Sequence, residues 1–114
     1  MKREALFEQM KIAVLGKSYD LSVAFVSPAR MKELNLSYRN INKPTDILSF
    51  PLSEKEGEIY ICLSEAKKEA KKFDRAYENF LGFLFIHGLV HLKGFDHGST
   101  MESIEARFRK KFGI

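Results

Sequence analysis

Residues 80–97 read FLGFLFIHGLVHLKGFDH, and this stretch decides how the rest of the sequence must fold. From Phe80 to Leu92 the run is apolar apart from two histidines, and a helix that is apolar on every side is buried on every side. A membrane span needs about 20 apolar residues, which this run does not reach. Gly94 is a natural helix stop, because glycine accepts the left-handed conformation found there. The sequence therefore predicts a buried central helix over residues 75–93.

The other patterns predict a small sheet with helices packed around that central helix. Ser27 is expected to cap a helix that starts at Pro28, and Ser99 to Glu102 match a capping box that opens the last helix. Further helices are predicted at residues 2–15, 64–73 and 99–112, and strands at residues 21–27, 46–52 and 58–62, the last two as a hairpin. We expect an α+β fold, zincin-like, with a mixed sheet of three or four strands and about five helices.

Length and composition fit one small globular domain over residues 1–114. The lone cysteine, Cys62, allows no internal disulfide, and no apolar signal segment follows Met1, so we expect a cytoplasmic protein without a membrane partner. The net charge of +4 and a pI of about 9.2 are compatible with a phosphate-rich partner. Many proteins with this charge bind no nucleic acid, so the charge alone does not establish that this one does.

All three histidines of the chain fall in one pattern, His87, His91 and His97. Residues four apart share a face of a helix, so His87 and His91 can hold one metal ion. Gly94 turns the chain, which allows His97 to return as a third ligand. Three protein ligands leave one position for water, as in catalytic zinc sites; other divalent transition metals also suit imidazole. The alternative is two core histidines satisfied by hydrogen bonds and a loop histidine in solvent.

The same histidine spacing occurs in zinc peptidases of the long His-Glu-x-x-His type, with one difference. Gly88 stands where those enzymes have the glutamate that takes a proton from the metal-bound water. The sequence therefore has the ligand spacing of these peptidases but lacks their catalytic glutamate, which disfavours peptidase activity.

These motifs resemble the YbeY family of bacterial endoribonucleases. The resemblance is carried by the histidine run and by three further blocks, Leu34-Asn35 with Tyr38-Arg39, the run Lys43-Pro44-Thr45-Asp46-Ile47-Leu48-Ser49-Phe50-Pro51, and Gly57-Glu58-Ile59. The sequence departs from the family pattern in having Asn42 and Glu58 where aspartates are usual. The family also has a strand before the first helix, which this sequence lacks, so three strands and an open sheet edge are expected.

The resemblance implies that His87, His91 and His97 bind one zinc ion per chain and that Arg39 faces the metal. The implied activity is metal-dependent cleavage of single-stranded RNA in ribosomal-RNA maturation and ribosome quality control, with the ribosome as partner. Arg39 would stabilise the charge of the transition state. Ser49 is expected near phosphate. A non-catalytic ribosome-assembly factor with a structural metal remains the alternative.

The residues leave two further questions open. Glu58, Asp46 and Asp96 are unranked candidates for a general base. Asp96 could also orient a ligating imidazole, and a solvated turn aspartate is the alternative interpretation. Lys43, together with Lys67 and Lys71 of the basic third helix, is expected to bind RNA, although a solvated helix face explains the same lysines.

Overall fold

The structure, a computed structural model, describes residues 2–95 and 98–114, and within these ranges it contains five helices and three strands. In chain order the elements are α1 (Arg3–Leu15), β1 (Asp20–Phe25), α2 (Pro28–Arg39), β2 (Ile47–Ser53), β3 (Glu56–Ile61), α3 (Leu63–Lys72), α4 (Tyr77–Leu92) and α5 (Ser99–Phe112). The predicted α+β class is confirmed, as are the number of helices and the lower of the two strand counts.

The sheet has the order β1-β3-β2, so β3 is the central strand. It runs parallel to β1 and antiparallel to β2, which confirms the predicted hairpin and the mixed sheet. The pairing of β2 shifts register between Pro51 and Ser53. Proline cannot donate to a ladder, and β2 tolerates it because it is an edge strand. The other edge, β1, exposes the side chains of Val23 and Phe25.

Helix α4 lies at the centre of the molecule and contacts α1, α3, α5 and β2. Most of its residues are buried, as its uniformly apolar sequence predicts. Gly88 explains how closely it approaches the sheet. A Cβ at this position would lie 2.9 Å from both Ile47 Cδ1 and Ser49 Oγ of β2. The glycine therefore lets the middle of the helix rest directly on the strand.

The ends of the helices test the predicted caps. Ser27 Oγ accepts the Arg30 amide at 3.1 Å, which confirms the first cap. Gly94 has φ +106°, and the bonds Gly94 N–His91 O and Phe95 N–Val90 O close the end of α4 as a Schellman motif.

The capping box predicted at the start of α5 is wrong. Gly98 is the N-cap, with φ +152°, and no side chain caps the helix. Ser99 is therefore already the first helical residue, and its hydroxyl is one position too late to act as the cap.

Helix α2 covers the sheet face opposite α4 and builds a second, smaller core from Met31, Leu34, Leu48 and Cys62. Buried Asn35 donates from Nδ2 to a loop carbonyl after α2 at 2.8 Å and so fixes the path toward β2. Within the described ranges, no helix has the length and apolar character needed to span a bilayer.

Candidate metal centre and cleft

His87 and His91 lie one turn apart near the C-terminal end of α4 and face the same cleft. Their ring centroids are 4.7 Å apart and the rings meet edge to face. Both side chains are half-buried. The prediction that residues four apart on this helix bring two imidazoles together is thus realised in the structure.

Each imidazole has its Nδ1 atom engaged. His87 Nδ1 lies 2.8 Å from Oε1 of Glu105, and His91 Nδ1 lies 3.1 Å from the carbonyl oxygen of Phe95. A carboxylate or a carbonyl can only accept, so neutral rings in these positions carry the proton on Nδ1. In that tautomer Nε2 is the nitrogen that carries no proton, and a neutral imidazole can bind a metal through such an atom.

His97, the third predicted ligand, lies outside the described residues, as does Asp96. Residues 2–95 and 98–114 on their own contain no group of three or more histidine, cysteine, aspartate or glutamate side chains arranged to hold a metal ion. The two described histidines nevertheless fit one, because both rings lie on one helix face and each is oriented through its Nδ1 atom.

The cleft beside these histidines has a volume of about 1230 Å³. It is walled by α3, α4, α5 and β2 and reaches the end of α2. Its charged lining residues include two arginines and four acidic side chains: Arg39, Arg109, Asp46, Glu69, Glu102 and Glu105. Because acidic side chains outnumber the arginines, the cleft favours a cation bound between the histidines over an anionic chain bound without a metal.

Two of the residues predicted to act on substrate line this cleft together with the histidines. Arg39, the last residue of α2, is exposed at the rim. Ser49 lies on β2 with its hydroxyl toward α4, next to Gly88. The structure therefore brings Arg39, Ser49, His87 and His91 to one cavity, although they come from three separate elements.

The predicted lysines lie elsewhere. Lys43 is exposed on the loop after α2, and Lys67 and Lys71 occupy the outer side of α3. The residues by which α3 contributes to the cleft are Glu69 and Phe73. None of the three lysines is among the described residues that line the cavity.

The structure separates the candidate general bases. Asp46 lines the cleft, and burial, followed by the nearby charge of Glu69, raises the pKa of its carboxyl above the ordinary value. Glu58 lies on the opposite face of the sheet. Its neighbour Ile59 is the residue that faces Gly88 on α4, and adjacent residues of a strand point to opposite faces. Of Asp46 and Glu58, only Asp46 lines the cleft.

Glu105 was missed from the sequence. It is 5% exposed on α5 and contacts a predicted metal ligand. The signal that could have found it is the spacing of Met101 and Glu105, which puts a carboxylate on the same inward face as a buried methionine.

Comparisons with known proteins identify the family of this chain. The model of the family described as endoribonuclease YbeY matches residues 2–112. A relative from Staphylococcus carnosus named endoribonuclease YbeY is 38% identical over 81% of this chain and 68% of its own length. Another of that name, from Sulfurimonas denitrificans, is 36% identical over 96% of this chain and 82% of its own length.

A solved structure shows the same fold. The solution structure of TM1509 from Thermotoga maritima matches with a TM-score of 0.67 and 30% sequence identity, over 99% of this chain and 85% of that one. The class of protein that the fold and these matches define is a nuclease. The chain belongs to the YbeY family, which confirms the resemblance found in its motifs.

Proposed function

We propose that this chain is a zinc-dependent endoribonuclease that cleaves single-stranded RNA in the cytoplasm, during ribosomal-RNA maturation and ribosome quality control. The family supports the activity on RNA, because the relatives are named endoribonucleases. The buried lone thiol of Cys62 is in keeping with a reducing compartment. The ribosome is the proposed partner because ribosomal RNA is the proposed substrate.

The observation that carries the proposal is the pair of imidazoles in the cleft, each oriented through its Nδ1 atom. His87 and His91 would hold the zinc ion through Nε2, with His97 as third ligand. When bound, zinc acts as a Lewis acid and lowers the pKa of a coordinated water to about 7. The acidic lining of the cleft favours the cation and leaves the arginines to meet the phosphate.

Arg39 is the residue proposed to stabilise the reacting phosphodiester. A guanidinium donates two parallel hydrogen bonds to phosphate oxygens, which gain negative charge in the transition state. Its place at the rim lets it reach a phosphate in the cleft without entering the core. Ser49 is proposed to donate a hydrogen bond to the same substrate from β2. Lys43, Lys67 and Lys71 are proposed to contact RNA beyond the cleft.

Asp46 is the carboxylate proposed to accept the proton from the attacking water. A base is most effective when its pKa approaches the working pH, and burial moves Asp46 in that direction. Thr45 and Asp46 are in contact through their side chains, with Thr45 Oγ1 3.4 Å from Asp46 Oδ1. The carboxylate is therefore held at the wall of the cleft beside β2.

The test is an RNA-cleavage assay on the purified protein combined with metal analysis. Labelled single-stranded RNA should be cut, duplex RNA of the same sequence should be spared, and a chelator should abolish cleavage until zinc is restored. His91→Ala should lose both zinc and activity. Asn79→Ala changes the same helix away from the cleft and should retain both.

Two results would contradict the proposal. Cleavage that persists in chelator would remove the metal from the reaction. Zinc binding without cleavage, where chelation only lowers the melting temperature, would favour the non-catalytic assembly factor with a structural metal.

A further inference from the structure

Glu105 combines deep burial with a single well-defined contact. The residue is 5% exposed, and its Oε1 atom lies 2.8 Å from Nδ1 of His87, eighteen residues earlier in the chain. Helix α5 places it there because Met101 and Glu105 are one turn apart on the face that packs against α4. The contact therefore joins two helices at the wall of the cleft.

A buried carboxylate destabilises a protein unless a partner compensates for its lost hydration. His87 Nδ1 supplies that partner, at a distance typical of a strong charge-assisted hydrogen bond. An apolar residue at position 105 would fill the same space without this requirement. Packing alone therefore does not explain why position 105 carries a charged side chain.

We propose that Glu105 is a positioning residue that orients His87 for the metal. By accepting from Nδ1, the carboxylate fixes the imidazole tautomer, holds the plane of the ring and makes Nε2 a better donor to a cation. This inference rests on the proposed function, in which His87 is a zinc ligand.

The two histidines are held differently, which makes the contribution of Glu105 separable. His91 Nδ1 faces the carbonyl oxygen of Phe95, a neutral acceptor that belongs to the Schellman turn at the end of α4. His87 has a charged acceptor on another helix. Loss of the charge should therefore weaken one ligand and leave the geometry of the other unchanged.

Glu105 acts through His87 in this proposal and does not touch substrate. Its buried carboxylate already accepts from the imidazole, whereas Asp46, the carboxylate proposed for proton transfer, lines the cleft from the loop before β2. Substitution of Glu105 should accordingly change zinc affinity first, and turnover at saturating zinc much less.

The test measures zinc affinity by competition with a chromogenic chelator. Glu105→Gln keeps the shape and an acceptor oxygen but removes the charge, and it should weaken zinc binding by about 10–100-fold. Glu8→Gln is the control, because it removes the same charge from an exposed position on α1 that is not among the described residues lining the cleft. The zinc affinity of the control should stay close to that of the unchanged protein.

A second measurement needs no metal. Nitrogen-15 NMR of the imidazoles in metal-free protein, at a pH well above their ordinary pKa of about 6.5, reports the tautomer of each ring. His87 should carry its proton on Nδ1. Glu105→Met removes the acceptor at similar volume, so His87 should shift toward the Nε2–H tautomer while His91 keeps its own.

The outcomes separate this inference from the proposed function. Unchanged zinc affinity in Glu105→Gln, or an unchanged His87 tautomer in Glu105→Met, overturns the role of Glu105 while the metal site stands. If the unchanged protein binds no zinc, the proposed function fails, and the tautomer measurement alone decides whether Glu105 orients His87.

Discussion

Arg39 is the cleft cation whose role is easiest to isolate, because it is exposed and its removal leaves no buried partner uncompensated among residues 2–95 and 98–114. Arg39→Ala should lower the rate of RNA cleavage by about 10²–10³-fold, the loss expected when one donor to a developing oxyanion is deleted. Zinc content should remain that of the unchanged protein, since Arg39 is not a ligand. Single-turnover cleavage with parallel metal analysis provides the measurement.

The control for Arg39 is Arg30→Ala on the same helix. Arg30 is exposed, pairs with Glu33 at 3.2 Å and does not line the cleft as described. Both substitutions remove one positive charge from α2, so a general electrostatic effect would appear in both. Equal rates in the two variants would take Arg39 out of the mechanism.

At the scale of single residues, the sequence predicted that His87 and His91 come together but not which side chains surround them. His87 and His91 follow from helical spacing alone. Glu105 could not be paired with His87, because the pair joins residues from two helices whose packing the sequence pattern does not reveal. The same limit applied to Asp46 and Glu58, which looked equivalent until the structure placed Asp46 in the cleft lining and Glu58 on the sheet face away from α4.

Helix α4 depends on a small residue, Gly88, where it meets β2. Gly88→Glu should lower the free energy of unfolding by about 3 kcal/mol or more, because overpacking contributes about 1–3 kcal/mol and a carboxylate without a partner is buried in addition. The side chain would have to displace Ile47 and Ser49 of β2. Urea denaturation followed by circular dichroism measures the change.

Gly88→Ala is a milder substitution that tests the same contact between α4 and β2. Its Cβ meets only the ends of three side chains, those of Ile47, Ser49 and Ile59, and alanine is the better helix former, so the loss should be less than about 2 kcal/mol. A stable Gly88→Glu protein would mean that α4 does not rest on β2 as described. The glycine would then have no structural reason to replace the peptidase glutamate.

Elements with strong periodicity were predictable, and their boundaries were less so. Helix α4 and its stop at Gly94 follow from an apolar run and a left-handed glycine. The start of α5 did not follow, because Ser99 to Glu102 match a capping box while Gly98 takes the cap. A local sequence motif indicates which residues can cap a helix. The conformation of the backbone in the preceding turn determines which residue is the N-cap in the structure.

Across the whole molecule, the excess positive charge lies outside the cleft. The chain carries a net charge of +4, yet acidic side chains outnumber the arginines among the residues lining the cleft. Composition could predict the basic bias but not this distribution, which depends on how the helices are rotated about their axes. RNA that extends beyond the cleft would meet the lysines on the outside of α3.

That separation predicts a salt dependence that varies with RNA length. For a long single strand, Lys67→Gln combined with Lys71→Gln should flatten the plot of log affinity against log salt by about 0.7 for each phosphate that a lysine no longer neutralises. A short strand confined to the cleft should show no change. Lys68→Gln with Lys72→Gln is the control, since these lysines pair with glutamates three residues earlier at 2.9 and 3.0 Å. An identical slope in all three proteins would mean that the outer face of α3 is only solvated.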